Sequence, residues 1–521
     1  MGTRTIRQKK ARWLVLRVAM AVAAASVLGV SGGAHAAETP FVYAEAFPFS
    51  TMDPATAGLN PDMLVTQNTY DALTRYNEKA PSKILPALAT SWTQKGKLWT
   101  FHIRKGVKFH DGASLTADDV KVSIDRMIKL GQGLSYLLYN VTRVKVVNAS
   151  TVTIACKTGN PWLAANLVKV GIVSAKDVRA HASGNDGAQA WFKDHENGTG
   201  AYQVSKFTPG TELVLARNTS WWGKFSAHPI DTFIDKFVVD GNQRFIGLKG
   251  GDYQLAAFIS TENALSLDKS KFRLVRGHNL WAYPNLNFST TQAPMNNPRF
   301  RAAMVAAFDY KAMVTYYKGF ASTSNGPIPN WVPGSPSKRF ATIKQNLTKA
   351  KALLKASGVK NTTFTCLIPP GSPDYPFVGQ ILQASAQQIG VRVNLKTVPI
   401  AQIPTLMKSN KGPCAVYGEA SNSPDPIPFF SARYIPGSFA NLYNFKSAKL
   451  LKLMAQYSAA TTTARRQVLL TQMSKIIVDS HMDLWTVSPE SVVPMAKSVS
   501  GYQVDPFNLI NVNIASLDYQ P

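Results

Sequence analysis

Apolar and polar residues alternate along Leu98-Trp-Thr-Phe-His-Ile103, the spacing of a strand with one buried face. Turns follow at Lys105-Gly106 and His110-Asp111-Gly112. Thr116-Ala-Asp-Asp119 then opens a helix whose apolar stripe is Val120, Ile124, Met127 and Ile128. The Thr116 hydroxyl suits an N-cap, and the two carboxylates stand at the positive helix end. Upstream, Phe41-Val-Tyr-Ala-Glu-Ala-Phe47-Pro-Phe49 is almost wholly apolar and predicts a buried strand running into a turn at Asp53-Pro54. Val144, Val146, Val152 and Ile154 alternate in residues 140–160. Asn197-Gly-Thr-Gly-Ala-Tyr202 reads as a glycine-rich turn leading to strands at 211–217 and 233–240. From Asn297 the period changes. Asn297-Pro298 caps a helix with Phe300, Met304, Ala307 and Phe308 inward, and a helix over 349–357 ends at Gly358. A strand at 363–368, a helix at 377–389 and a strand at 391–398 make a βαβ unit, with a further strand at 414–417. The expectation is a β-rich α+β front half and an α/β rear.

Composition narrows the picture. The 521 residues exceed one compact core, and 45% apolar with 17% charged residues suits packed globular domains. Three Cys exclude a disulfide scaffold and a multi-Cys zinc array. Cys366 and Cys414 fall on the first and third strands of the rear unit, which are neighbours in a 2-1-3 strand order. The pair is either bridged or free, with Cys156 the odd thiol.

The net charge of +27 is unevenly placed. Arg4, Arg7, Lys9, Lys10, Arg12 and Arg17 precede a 13-residue apolar run, Val18 to Val30, and then Ala34-His35-Ala36. Basic start, short apolar stretch and A-x-A site form a secretory leader, too short to anchor in a bilayer. Cleavage after Ala36 leaves 485 residues with a net charge of +21. The absence of an Arg-Arg pair and of a Cys at the cleavage point predicts the general secretory route with no lipid anchor. The remaining cations are scattered; Lys344 to Lys355 reads as a solvated helix face, and no nucleic-acid motif accompanies them. His110-Asp111 reads as a turn rather than a metal site, and His102 as a solvated strand residue. Beyond residue 36 no G-x-S-x-G, H-E-x-x-H or S-x-x-K set with companion motifs supplies a nucleophile with its base. No cofactor is expected. An exported hydrolase, or a folding helper or adhesin using the basic surface, stands as the alternative to ligand capture.

The run from Leu98 to Val120 resembles the signature of the family 5 extracellular solute-binding proteins of ABC importers. Asn197-Gly-Thr-Gly-Ala-Tyr202 is similar to the family's "GTGPY", with Ala201 in place of Pro, and Asn218-Thr-Ser-Trp-Trp-Gly223 to its "NpdYWg". Leu248-Lys-Gly-Gly-Asp252, Leu286-Asn-Phe288, Arg299-Phe-Arg-Ala-Ala with Ala307-Phe-Asp309, Gly326-Pro-Ile-Pro329 and Pro424-Asp-Pro426 match in order. The resemblance implies a monomeric periplasmic protein that closes two lobes around a peptide-like or other small solute. It then delivers the solute to membrane permease subunits. It implies three domains: a discontinuous first (37–81, 198–285 and 485–521), an inserted second (82–197) and an α/β third (286–484), with the ligand between the first and third. Phe47, Phe49, Tyr136, Trp281, Tyr283, Tyr417, Glu419, Asn422 and Asp425 are the implied ligand-site candidates. Plain core packing is the competing reading for Phe47 and Phe49. Two departures bear on the ligand. Asn422 stands where peptide-binding relatives carry the Asp that holds an ammonium. Pro369 stands where dipeptide-binding relatives carry an Arg for the carboxylate. Glu419 occupies the position of the relatives' Trp, either as a displaced negative charge or as a solvated loop residue.

Overall fold

The computed structural model describes residues 39–77, 80–278, 284–329, 332, 335–418, 421–438, 440–505, 507 and 512–521. The expected leader and the candidates Trp281, Tyr283 and Glu419 lie outside the described residues. Residues 40–521 form one compact unit organised around three principal sheets.

The largest sheet has the order Phe272–His278, Ser488–Ala496, Leu255–Ala256, Phe41–Glu45, Thr232–Phe237, Glu212–Arg217, Tyr202–Thr208, with Ala321–Ser322 added to Ser488–Ala496. It draws its strands from distant parts of the chain. Phe41–Glu45 lies between two parallel partners, and Phe41 and Tyr43 stack on Phe233 in its core. The four-stranded antiparallel sheet orders Ala89–Lys95, Leu98–Ile103, Thr151–Cys156, Val141–Asn148. Trp99, Phe101 and Ile103 face its core, as the alternation requires. The helix Ala117–Leu130 packs there. The Asp119 carboxylate accepts from the Thr116 N–H (2.7 Å) and hydroxyl (2.9 Å), and its other oxygen from the Ala175 N–H (2.8 Å). Val120, Ile124 and Met127 are buried, but Ile128 is 39% exposed, because the stripe it was assigned to is one position too wide.

The five-stranded sheet orders Arg392–Thr397, Thr363–Ile368, Cys414–Gly418, Pro284–Phe288, Asp483–Leu484. The first three stand in the 2-1-3 order expected of the α/β unit. Cys366 faces Cys414 across the ladder and the two are bridged, while Cys156 is buried and free. Asn297 caps Pro298–Ala307 through its side chain, and Gly358, at φ +67°, ends Leu347–Ser357. The strand expected over 233–240 stops at Phe237, since Asp240 caps the following helix Gly241–Gly250 by accepting from Gln243 N–H.

The chain passes between the first and third sheets twice, side by side. Pro284–Phe288 enters the five-stranded sheet, and Asp483–Leu484 pairs with it before Ser488–Ala496 returns. The Thr486 hydroxyl donates to Pro284 O at 2.7 Å. Beside this crossing a buried network holds Asp483. It accepts from Arg433 (3.1 Å) and from the Tyr434 hydroxyl (2.9 Å), and the Tyr443 hydroxyl donates to Asn287 Oδ1 at 2.7 Å.

A candidate ligand cleft between the lobes

The end of the first strand meets the loop that follows Thr363–Ile368. Phe47 stacks edge-on with Phe258 (5.3 Å) and lies against Gly371, where an added Cβ would stand 2.5 Å from its ring. Arg244, fully buried, spans the same junction. Its Nη2 donates to Gly371 O at 2.8 Å, Nε to Ala257 O, and Nη1 to Val238 O and Val239 O. Every nitrogen of this guanidinium donates to a backbone carbonyl, which fixes it across the junction. Below it, Glu45 turns back to accept from the Ala46 and Phe47 N–H groups, and the Tyr43 hydroxyl donates to it. Burial raises Glu45 to about 7 against those hydrogen bonds. Asp235, raised by burial and by Glu45, has one carboxyl oxygen without a partner among the described residues.

A second seam joins the segment 421–425 to the sheet-and-helix unit of residues 89–192. Asn422 Nδ2 donates to the Tyr136 hydroxyl at 2.9 Å, and the Tyr76 hydroxyl reaches Ala165 O and Asn422 O. Ser423 donates to Asn166 Oδ1. Asn422 is 8% exposed, and its Oδ1 has no partner among the described residues. An amide oxygen buried without a donor costs about 1–3 kcal/mol. Asp425 is already committed: it caps Pro426–Tyr434 by accepting from Ile427 N–H and takes the Tyr139 hydroxyl at 3.0 Å. Burial lifts it to about 6 against these bonds. Tyr417 sits half-buried near the end of its strand, its carbonyl accepting from Asn287. Phe49 packs edge-on with Phe207 and belongs to the large-sheet core, apart from Asn422 and Tyr136.

A cavity of about 600 Å³ adjoins Tyr76, and none of the six described candidates lines it. Its walls carry Tyr76, Trp221, Trp222, Lys169 and Asp505. Lys169 pairs with Asp505 at 3.6 Å, and burial lowers its pKa against that attraction. Asp71, raised to about 6 by burial, accepts from Trp222 (2.7 Å), Thr199 and Trp221. Arg104 lies over the Trp222 ring at 4.4 Å and donates through Nε to Ala87 O. Arg75 and Lys224 complete the cationic wall. Sequence spacing gave no sign of this chamber, because its residues are far apart along the chain.

The remaining motif residues are structural. His110 bonds Glu196 (2.7 Å) and Gly200 O. Burial lowers its pKa, but those partners outweigh burial and leave it raised. A Cβ on Gly198 would stand 1.9 Å from Thr69 O, so the glycines of 197–202 serve a close backbone approach. Among the described residues no cluster of three or more His, Cys, Asp or Glu could hold a metal, and no helix is long and apolar enough to cross a membrane.

Comparison with known proteins gives a consistent picture. The family model for bacterial extracellular solute-binding proteins, family 5, middle region, matches residues 83–441. The chain is 27% identical to the glutathione-binding protein of Pectobacterium atrosepticum, over 99% of this chain and all of that one. It is 25% identical to the probable D,D-dipeptide-binding periplasmic protein of Escherichia coli K12, over 93% and 96%. In structure it is similar to the ABC transporter-associated periplasmic binding protein of Helicobacter pylori in complex with the peptide STSA. That match has a TM-score of 0.81 and 22% identity, covering 92% of this chain and 98% of that one. A binding protein of A. tumefaciens in complex with mannopinic acid matches with TM-score 0.81 at 21% identity, covering 93% and 100%. The crossing strands, the inter-lobe seams and a family match over most of the chain lead to one assignment: this chain belongs to family 5 of the bacterial extracellular solute-binding proteins, the solute-capturing components of ABC importers.

Proposed function

We propose that the protein takes its solute between the first and third of the three domains drawn above, and that the solute carries no free ammonium at the Asn422 end. The observation that carries this reading is the buried, unpartnered Oδ1 of Asn422 beside Tyr136 and Tyr76. A neutral acceptor takes an amide N–H or a hydroxyl; it does not neutralise an ammonium, whose burial without a counter-charge costs several kcal/mol. The nearby described carboxylates are already committed, Asp425 to its helix cap and Tyr139, Asp505 to Lys169. Beyond Tyr76 the excess of Arg75, Arg104 and Lys224 suits an acidic group in the adjoining chamber. Phe47 and Tyr417 close the apolar part of the cleft, with Tyr136 at its margin beside Asn422. The chain performs capture without covalent chemistry. It is exported by the general secretory route, losing residues 1–36 to become periplasmic and unlipidated.

Calorimetry tests the ligand class. Ala-Ala should bind weakly or not at all, whereas an N-acetylated dipeptide or mixed tri- to pentapeptides should bind measurably better. Asn422→Asp should gain affinity for free amino termini, each tenfold corresponding to about 1.4 kcal/mol. Micromolar binding of Ala-Ala by the unaltered protein would overturn the reading. N-terminal sequencing of envelope material should begin at Ala37.

A further inference from the structure

The positive charge of the chain is concentrated in one lobe. Residues 286–484 hold 22 Lys and Arg against six Asp and Glu, a net of +16. The rest of the chain after residue 36 has 29 against 24, close to neutral. The described acids of this lobe are all engaged. Asp425 and Asp483 are buried, Asp374 accepts from the Tyr317 hydroxyl, Asp309 caps a helix, and Asp479 pairs with Lys475. With described acids, the lobe's cations form the ion pairs Lys318–Glu262, Arg433–Asp483 and Lys475–Asp479.

Six of the unpaired cations share one edge. Lys351 and Lys355 stand one turn apart on Leu347–Ser357, and Arg299 Nη1 donates to Ala356 O at the end of that helix. Lys360 follows the helix into Thr363–Ile368. Arg392 and Lys396 lie on the neighbouring strand, which is the sheet's edge, with Arg392 N–H bonded to Thr362 O. All six side chains are exposed. Like charges gathered around one end of the sheet, on both of its sides, repel one another and are retained at a cost unless a partner of opposite sign is met.

We propose that this edge of the third domain is an electrostatic docking surface for the anionic phospholipid headgroups of a bilayer. Basic residues near an anionic membrane are attracted within a Debye length, additively and reversibly, and need no apolar insertion. The described cluster has that form: lysines and arginines without an exposed aromatic or aliphatic wedge among them. The choice of a membrane over another polyanion rests on the export proposed above; the charge pattern does not. The surface lies outside the cleft, so a receptor held by it keeps its ligand site available while its search for a permease is confined to two dimensions.

Vesicle sedimentation tests the proposal with purified protein and is independent of the ligand. The protein should sediment with phosphatidylcholine vesicles containing one-third phosphatidylglycerol at low salt, remain in solution with pure phosphatidylcholine, and be released by high salt. The triple variant Lys351→Glu, Lys355→Glu, Lys360→Glu should lose at least tenfold in partitioning and melt as the unaltered protein does. The matched variant Lys97→Glu, Arg143→Glu, Lys145→Glu, with the same change in net charge on the four-stranded unit, should keep partitioning within twofold. Equal loss in both variants, binding to neutral vesicles, or tighter binding to a DNA oligomer than to the anionic vesicles would each overturn the proposal. So would full release by millimolar glycerophosphate at constant ionic strength, which would point to a free-phosphate site.

Discussion

Glu45→Gln should stabilise the protein at neutral and alkaline pH. Glu45 ends the first strand, fully buried, accepting from Ala46 and Phe47 N–H and from the Tyr43 hydroxyl. Burial raises its carboxyl from an ordinary 4.5 to about 7, with the Arg244 charge opposing. Because the folded-state value lies above the unfolded one, the folded state binds the proton more tightly. The associated stability is present in full below about pH 4.5 and is lost as pH rises to about 7, beyond which the difference is constant. At 1.36 kcal/mol for each pH unit between the two values, the loss is about 3 kcal/mol. Glutamine presents the same acceptor to the two amides and a donor toward Tyr43, so it reproduces the protonated acid. Urea unfolding from pH 5 to about pH 8 should show the unaltered protein weakening with pH while the variant stays flatter, the two diverging by up to about 3 kcal/mol. Parallel curves, or a variant less stable at the alkaline end, would refute the reasoning.

Denatured, unreduced protein should show one free thiol, Cys156, since Cys366 and Cys414 are bridged; in the native state that thiol, buried and pushed to about 11, should react slowly. Gly371→Ala places a Cβ 2.5 Å from the Phe47 ring at φ +104°, so ligand affinity should fall at least tenfold (about 1.4 kcal/mol) by calorimetry while the disulfide-linked sheet still folds. X-ray scattering should show the protein compacting on ligand saturation, about a hinge at the paired crossings Pro284–Phe288 and Asp483–Leu484; an unchanged radius with a verified ligand bound would refute hinge closure.

Local chemistry was legible where local physics decides the structure. The strand Thr363–Ile368, the Thr116/Asp119 helix start and the Gly358 helix end were readable because each depends on residues within a few positions. The 2-1-3 strand order followed from the βαβ pattern and brought Cys366 to Cys414. Long-range polar contacts were not legible. Arg126 clamps Asp53 through two nitrogens, at 2.7 and 2.6 Å, from 73 residues away, and Lys169 finds Asp505 in a different part of the chain. Nothing in the spacing of such residues distinguishes them from solvated charges. The same limit applies to Asp425. Its Pro-Asp-Pro setting is visible in sequence, but only the packing reveals that the carboxylate serves a helix cap and Tyr139.

The two positions singled out in the sequence, the loop after Pro369 and Asn422, each make a long-range contact. At the first, the loop after Pro369 gives its Gly371 carbonyl to Arg244 of the opposite lobe. At the second, Asn422 gives its amide to Tyr136. Both contacts join segments far apart in the chain, and both use neutral groups of residues 371 and 422. Each hydrogen bond contributes roughly 0.5–1.5 kcal/mol net, and one to a charged donor such as Arg244 somewhat more. Together they stabilise the observed packing of these segments against one another. If the solute binds as proposed above, the Asn422 Oδ1 acceptor is what this packing leaves unsatisfied, and that proposal predicts discrimination by whether the solute brings a neutral donor to it rather than by the net charge of its ends.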